Sequence, residues 1–267
     1  MSAPLESTLE LISVRAENRT HSTPLLFVHG AYAGAWCWAE HFLPWFAAQG
    51  WDAYAMSLSG HGESPGAEYL DTLSIDDYVS DLRVTLASFA QPPVVIGHSM
   101  GGFVVQKYLD DHDLPGAILL CSVPPAGLAG SALGLALQRP GLLVDLTRIA
   151  GGSNISSQTL VKAMFHQPLP ELLLERYFSR FRRESQRAVW DMLGFNLPRI
   201  RRDHCKEVMV LGAHEDSLIS EAAVRWTAAA WGVKPVMAPD MGHGVMLETG
   251  WRAIAQTLED WLAPRFR

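Results

Sequence analysis

Val94-Val95-Ile96-Gly97-His98-Ser99-Met100-Gly101-Gly102 constrains the fold of this chain more than any other stretch. A β-branched run ends in G-x-S-x-G, and an apolar segment follows. That is the pattern of a strand, a very tight turn and a helix, with a serine at the apex. Side chains at Gly97 and Gly101 would collide where strand and helix cross so closely. The serine in such a turn is held in strained backbone geometry that pushes its hydroxyl into an open site. The helix starts almost beneath it, so its free N–H groups point at any oxyanion formed there. A bare G-x-S-x-G recurs by chance; the flanking strand and helix patterns make it specific.

The rest of the chain supplies the sheet such an elbow needs. Leu9–Val14 reads as an entry strand, and Pro24–Gly30 as a buried strand running into a glycine loop. One helix is expected over Trp36–Gln49, closed by Gly50. A strand is expected over Trp51–Leu58, and a helix from Ser74 with Ser74 and Asp77 in a capping box. Strands follow at Val94–Gly97 and Gly116–Val123. Pro124-Pro125 then ends the alternation, and residues 126–203 contain no convincing strand. The pattern resumes with strands at Glu207–Gly212 and Lys234–Ala238 and helices over Ser220–Trp231 and Gly250–Leu262. Strands alternating with helices imply a doubly wound, mostly parallel sheet covered on both faces. The division expected is a core of residues 1–125 and 204–267, with 126–203 inserted as a helical cap whose glycine-rich entry half could move.

Composition narrows the function classes. Of 267 residues 48% are hydrophobic, enough for a large core, and the net charge of -7 argues against a nucleic-acid partner. No apolar run is long enough to span a membrane. The N-terminus lacks a basic segment followed by an apolar one, so a cytoplasmic protein is expected. Cys37, Cys121 and Cys205 are scattered, form no C-x-x-C pair and suggest neither a metal site nor a disulfide framework. No cofactor is expected, and the oligomeric state is left open.

A serine nucleophile needs a base, and the base an orienting acid, in the chain order Ser, Asp or Glu, His. His243 lies in the glycine-flanked loop Asp240-Met241-Gly242-His243-Gly244, just past the last expected strand. His112 and His204 read as helix-end or linker residues, and His166 lies in the expected cap. The acid should follow an intervening strand. Val210-Leu211-Gly212-Ala213-His214-Glu215-Asp216 offers Asp216, far enough past the strand to turn back to the histidine, with Glu215 as competitor. Asp240 is expected to be a solvated loop acid. His29-Gly30-Ala31-Tyr32 resembles a loop whose backbone donates to an oxyanion, so the Ala31 and Met100 N–H groups are the expected pair. His29 more simply braces that loop.

Together these residues resemble the α/β-hydrolase superfamily. The resemblance runs through the His29-Gly30 loop, Ser59-Gly60-His61-Gly62-Glu63-Ser64, the Gly97–Gly102 elbow, Asp216 and His243. It implies an α/β-hydrolase fold with an inserted cap. Relatives usually carry an aspartate shortly before the G-x-G-x-S turn, where this chain has Ser57. His29–Trp38 looks like the methylesterase and hydroxynitrile-lyase branch; the lyases place a lysine beside the catalytic histidine, whereas Gly244 follows His243 here. Ser99 also argues against epoxide hydrolases and dehalogenases, which use an aspartate at the elbow.

The expected substrate is a small-molecule ester with an apolar acyl or alcohol group, met by Tyr32, Trp36, Phe165 and Trp190. Any one of these aromatics could equally be ordinary core. The arginines at 176, 180, 182, 183 and 187 read most simply as a solvated face. The expected activity is carboxylic ester hydrolysis through an acyl-enzyme. Cleavage of a C–C bond or a lactone with the same triad, or a hydrolase-fold ligand receptor with little turnover, are the alternatives.

Overall fold

The structure is a computed structural model that describes residues 8–129, 161 and 163–266. Seven strands form one sheet: β1 (Leu11–Val14), β2 (Leu25–Val28), β3 (Ala53–Met56), β4 (Val94–His98), β5 (Ala117–Leu120), β6 (Val208–Ala213) and β7 (Pro235–Ala238). Their spatial order is β1-β3-β2-β4-β5-β6-β7. Only β1 is antiparallel to its neighbour. The parallel strands β2, β4, β5 and β6 are rich in Val, Ile and Leu because both faces are covered. The helices are α1 (Trp36–Ala39), α2 (Phe42–Ala48), α3 (Ile75–Ala87), α4 (Met100–Tyr108), α5 (Glu171–Phe178), α6 (Gln186–Trp190), α7 (Glu221–Trp231) and α8 (Trp251–Leu262).

Alternation along the strands divides the core into two layers. Leu25, Phe27, Ile96, Ile118 and Leu211 pack with Trp38, Phe42 and Phe46 of α1 and α2 and with Leu258 of α8. Leu26, Val28, Val95, Leu119 and Val210 pack with Tyr78 of α3, Phe103 of α4 and Trp231 of α7. This is the doubly wound arrangement. At the start of α3 the Ser74 hydroxyl accepts the Asp77 N–H while the Asp77 carboxylate accepts the Ser74 N–H, completing the expected capping box.

The single helix expected over Trp36–Gln49 is broken into α1 and α2. Pro44 explains the break: it has no N–H, and its ring would clash with the carbonyl of Glu40 in a continuous helix. It is tolerated instead in the first turn of α2. Within the segment expected as a cap, the described residues include α5, α6 and a π-turn at Asp191–Phe195, and no strand. The glycine-rich stretch from 130 to 152 lies outside the described residues.

The crossing of β4 and α4 sets the tightest packing constraint. A Cβ at Gly97 would lie 2.6 Å from the Gly101 carbonyl oxygen and 2.7 Å from the Gly102 Cα. These are backbone atoms and cannot rotate away. Gly97→Ala should therefore lower the unfolding free energy by about 1–3 kcal/mol, the usual range for overpacking, in a denaturant titration. An unchanged midpoint would contradict the close crossing.

Candidate active site

The order of the strands reverses around β2 and β4, and ligands of open α/β sheets bind beyond the strand ends at such a point. Val28 pairs with Gly97, so the His29-Gly30 loop and the Ser99 elbow leave the same sheet edge side by side. Ala213 pairs with Ala238, which carries the Asp216 and His243 loops to that edge. Ser99 itself has φ 52° and ψ -115°, a conformation unusual for a residue with a side chain. Its N–H donates to Leu120 O, and its carbonyl accepts from Phe103 and Val123.

His243 Nε2 lies 2.9 Å from Ser99 Oγ, and His243 Nδ1 lies 2.8 Å from Asp216 Oδ2. Both the His243 and the Asp216 side chains are buried. Asp216 Oδ1 accepts the N–H groups of Leu218 at 2.8 Å and Ile219 at 2.9 Å, which fixes the carboxylate. An acceptor on Nδ1 places the imidazole proton there and leaves Nε2 free to take the serine proton. Glu215 is exposed, and it is Asp216 that reaches the histidine. Asp240 is exposed as well.

The His29–Tyr32 loop is braced by hydrogen bonds of His29. His29 donates from Nδ1 to the Gly30 carbonyl at 2.8 Å and accepts the Leu58 N–H on Nε2 at 3.0 Å. Burial, with nearby His61, lowers its pKa to about 3, so the ring stays neutral in this role. In a planar trans peptide, a Gly30 carbonyl turned toward His29 turns the Ala31 N–H the other way. Among the described residues neither the Ala31 N–H nor the Met100 N–H has a protein acceptor. A Cβ at Gly101 would lie 2.4 Å from His29 O, so the loop and α4 touch backbone to backbone.

The histidine loop is held just as firmly. His98 donates from Nε2 to the His243 carbonyl at 2.9 Å. Glu248 Oε1 accepts the N–H groups of Gly242 at 2.9 Å and His166 at 2.8 Å, and Gly244 N–H donates to Met164 O at 2.6 Å. Burial pushes the Glu248 carboxyl above its usual range, against the pull of those N–H donors. Phe165 is thereby pinned against the histidine loop, buried beside Gly244.

The other three expected wall residues are placed differently. Tyr32 is half-buried in the loop that follows β2. Trp36 is buried between Tyr177, Phe181 and the Arg180 guanidinium, joining α1 to α5. Trp190 is 57% exposed, and its ring contact is with the equally outlying Phe195. The structure brings Tyr32 and Phe165 to the two loops that flank Ser99, and ties Trp190 to neither. The arginines of this region are engaged in ion pairs: Arg176 and Arg180 with Glu40, Arg183 with Asp71, and Arg187 with Asp191.

Three features escaped the sequence. Where relatives carry an aspartate, the Ser57 hydroxyl donates to Glu10 Oε2 at 2.6 Å and accepts the Ala35 N–H at 2.8 Å. Cys121 shares a 4.8 Å cluster with Asp216 and His243. Burial and the Asp216 carboxylate push its thiol pKa up, and the protonated thiol donates to Asp216. Glu184 forms a buried pair with His61. Amid Arg180, Arg182, Arg183 and Arg187 it carried no signal beyond being a lone acid in a basic stretch.

Among the described residues no helix is long and apolar enough to cross a membrane. The chain is similar over 167 residues to a rice (Oryza sativa) protein named "Probable esterase", with 28% identity, 58% of this chain and 59% of that one being covered. The match thus spans about three fifths of that relative. Solved structures of a bromoperoxidase from Bacillus anthracis (TM-score 0.70, 16% identity, 96% of both chains) and of a thermophilic esterase from Thermogutta terrifontis (TM-score 0.66, 18% identity, 97% of this chain and 95% of that one) share the fold. A model of the alpha/beta hydrolase family matches residues 25–257. With the elbow, the sheet order and this match in agreement, the chain belongs to the alpha/beta hydrolase family.

Proposed function

We propose that the protein hydrolyses carboxylic esters of small to medium apolar substrates through an acyl-enzyme on Ser99. The observation that carries this reading is the buried chain Ser99 Oγ, His243, Asp216, with spacings of 2.9 and 2.8 Å. His243 Nε2 takes the hydroxyl proton as Ser99 Oγ attacks the ester carbonyl. The carbonyl oxygen becomes an anion facing the Ala31 and Met100 N–H groups, each worth about 3 kcal/mol to such a transition state. Collapse expels the alcohol, which leaves with the proton from His243. A water then repeats the cycle on the acyl-serine, releasing the acid and restoring Ser99. Every proton lost by a nucleophile passes through one imidazole, and Asp216 stabilises the imidazolium each time. The name of the rice relative supports an ester as the substrate class.

Residues 126–203 are proposed as the cap over this site. The Met164–His166 strip, bonded to the histidine loop, places Phe165 as the best candidate wall for the acyl or alcohol group. Tyr32, Trp36 and Trp190 remain proposed contacts of lesser standing, Trp190 the least because of its exposure.

Steady-state hydrolysis of p-nitrophenyl esters tests the chemistry. Ser99→Ala should lose roughly a million-fold in kcat while remaining folded; turnover near that of the wild type would rule the mechanism out. Asp216→Asn should lose about ten-thousand-fold, and Glu215→Gln little. The reverse ranking would move the acid to Glu215. Phe165→Ala should change the ratio of rates between long-chain and acetyl esters more than it changes the acetyl rate, because each buried methylene is worth about 0.8 kcal/mol. Equal loss on every ester would make Phe165 core, with the pocket elsewhere.

A further inference from the structure

We propose that Glu184, paired with His61, is a positioning residue of the oxyanion loop: it grips the Tyr32 peptide and so fixes the direction of the neighbouring Ala31 N–H. This rests on the esterase reading, since it concerns the same oxyanion site.

Four donors converge on the Glu184 carboxylate. Oε2 accepts the Tyr32 N–H at 3.2 Å and faces His61 Nε2 at 3.1 Å. Oε1 accepts the Tyr78 hydroxyl at 2.8 Å and the Ser185 N–H at 2.7 Å. The other nitrogen of His61, Nδ1, faces the Ser59 carbonyl at 3.0 Å. Both ring nitrogens therefore face acceptors, and an imidazole satisfies two acceptors only as an imidazolium. Burial pulls the His61 ring down, but the Glu184 carboxylate, its hydrogen bond and the Ser59 carbonyl leave its pKa raised above 6.5. Burial pushes Glu184 up, and His61, Tyr78 and the Ser185 N–H outweigh it, holding the acid below the usual carboxylate range. The neighbouring His29 is the opposite case, a neutral ring with one donor and one acceptor partner.

A fully buried ion pair is a poor way to hold two segments together, because desolvation consumes most of the attraction. Docking of the 184–191 segment has other means. The Ser185 hydroxyl donates to Leu73 O, and Asp191 Oδ2 accepts the Ile75 N–H at 3.1 Å. What the pair adds is a hold on the Tyr32 N–H. That residue has φ 67°, unusual for a bulky side chain. Such a conformation persists only where its surroundings over-determine it. Here both backbone groups of Tyr32 are held from the same short segment: its N–H by Glu184, and its carbonyl by the Arg182 N–H at 2.8 Å. On the other side of Ala31, His29 holds Gly30. The Ala31 N–H is aimed by being clamped at both flanks.

The test compares full-length wild type, Glu184→Gln and Asp191→Asn on p-nitrophenyl butyrate, with folding followed by near-UV circular dichroism. Asp191 anchors the same segment without touching Tyr32. Glu184→Gln should lower kcat about tenfold to a hundredfold, as small displacements of a catalytic group do, with little change in KM because the loss falls on the transition state. Asp191→Asn should stay near wild type in both. In the wild type, nitrogen-15 NMR of the histidine rings should show His61 protonated at both nitrogens at pH 7, and His29 at one. A folded Glu184→Gln with wild-type kcat, an equal kcat loss in Asp191→Asn, or a singly protonated His61 would each overturn the proposal. If Glu184→Gln does not fold, Tyr78→Phe removes one donor and keeps the pair, and should lower kcat with KM unchanged; a rise in KM alone would overturn it. A wild type without ester turnover and without fluorophosphonate labelling at Ser99 would sink the esterase reading instead, a result separate from the state of His61.

Discussion

The close crossing of β4 and α4 is the constraint on which the rest of the site depends. With Gly97 and Gly101 removing every side chain from the crossing, the chain turns from strand to helix within one residue, and Ser99 is left at φ 52°. That conformation lifts the hydroxyl off the sheet edge and brings the first N–H of α4 beneath it. The cost of the strained turn is met by packing: β4 is the central strand of seven, buried on both faces. A serine on an edge strand would have no comparable support.

Around this fixed point the protein places its other groups mainly by hydrogen bonds from the backbone of loops. Asp216 is held by two N–H groups of the chain just after it, the His243 carbonyl by His98, Gly242 by Glu248 and Gly30 by His29. Three buried histidines near the elbow thus do two different tasks. His29 and His98 are kept neutral by burial and act as fixed struts. His243 bridges serine and aspartate. Burial of so many polar groups is tolerable only because nearly all are paired.

Much of this was legible in the sequence because the decisive parts obey short-range rules. The elbow is nine consecutive residues. The parallel sheet follows from the alternation of strands with helices, and Asp216 and His243 follow strands whose ends such a sheet must bring to one edge. Pro44 could have shown the break between α1 and α2. Long-range polar pairing was not legible. Glu184 and His61 lie 123 residues apart, and Ser57 and Glu10 are 47 apart. No local pattern announces which buried acid meets which base. The arginines are exposed, as a solvated face requires, but the sequence did not show that their partners Glu40, Asp71 and Asp191 come from separate parts of the chain.

The central claim is that Ser99 is the nucleophile and that the Ala31 and Met100 N–H groups receive the developing anion. The most direct measurement is a crystal structure of the protein after reaction with an alkyl fluorophosphonate, whose tetrahedral phosphorus stands in for the ester carbon at the transition state. The account predicts phosphorus bonded to Ser99 Oγ and the phosphoryl oxygen about 2.7–3.1 Å from both N–H nitrogens. A bond to any other residue, or a phosphoryl oxygen turned away from Ala31 and Met100, would contradict it.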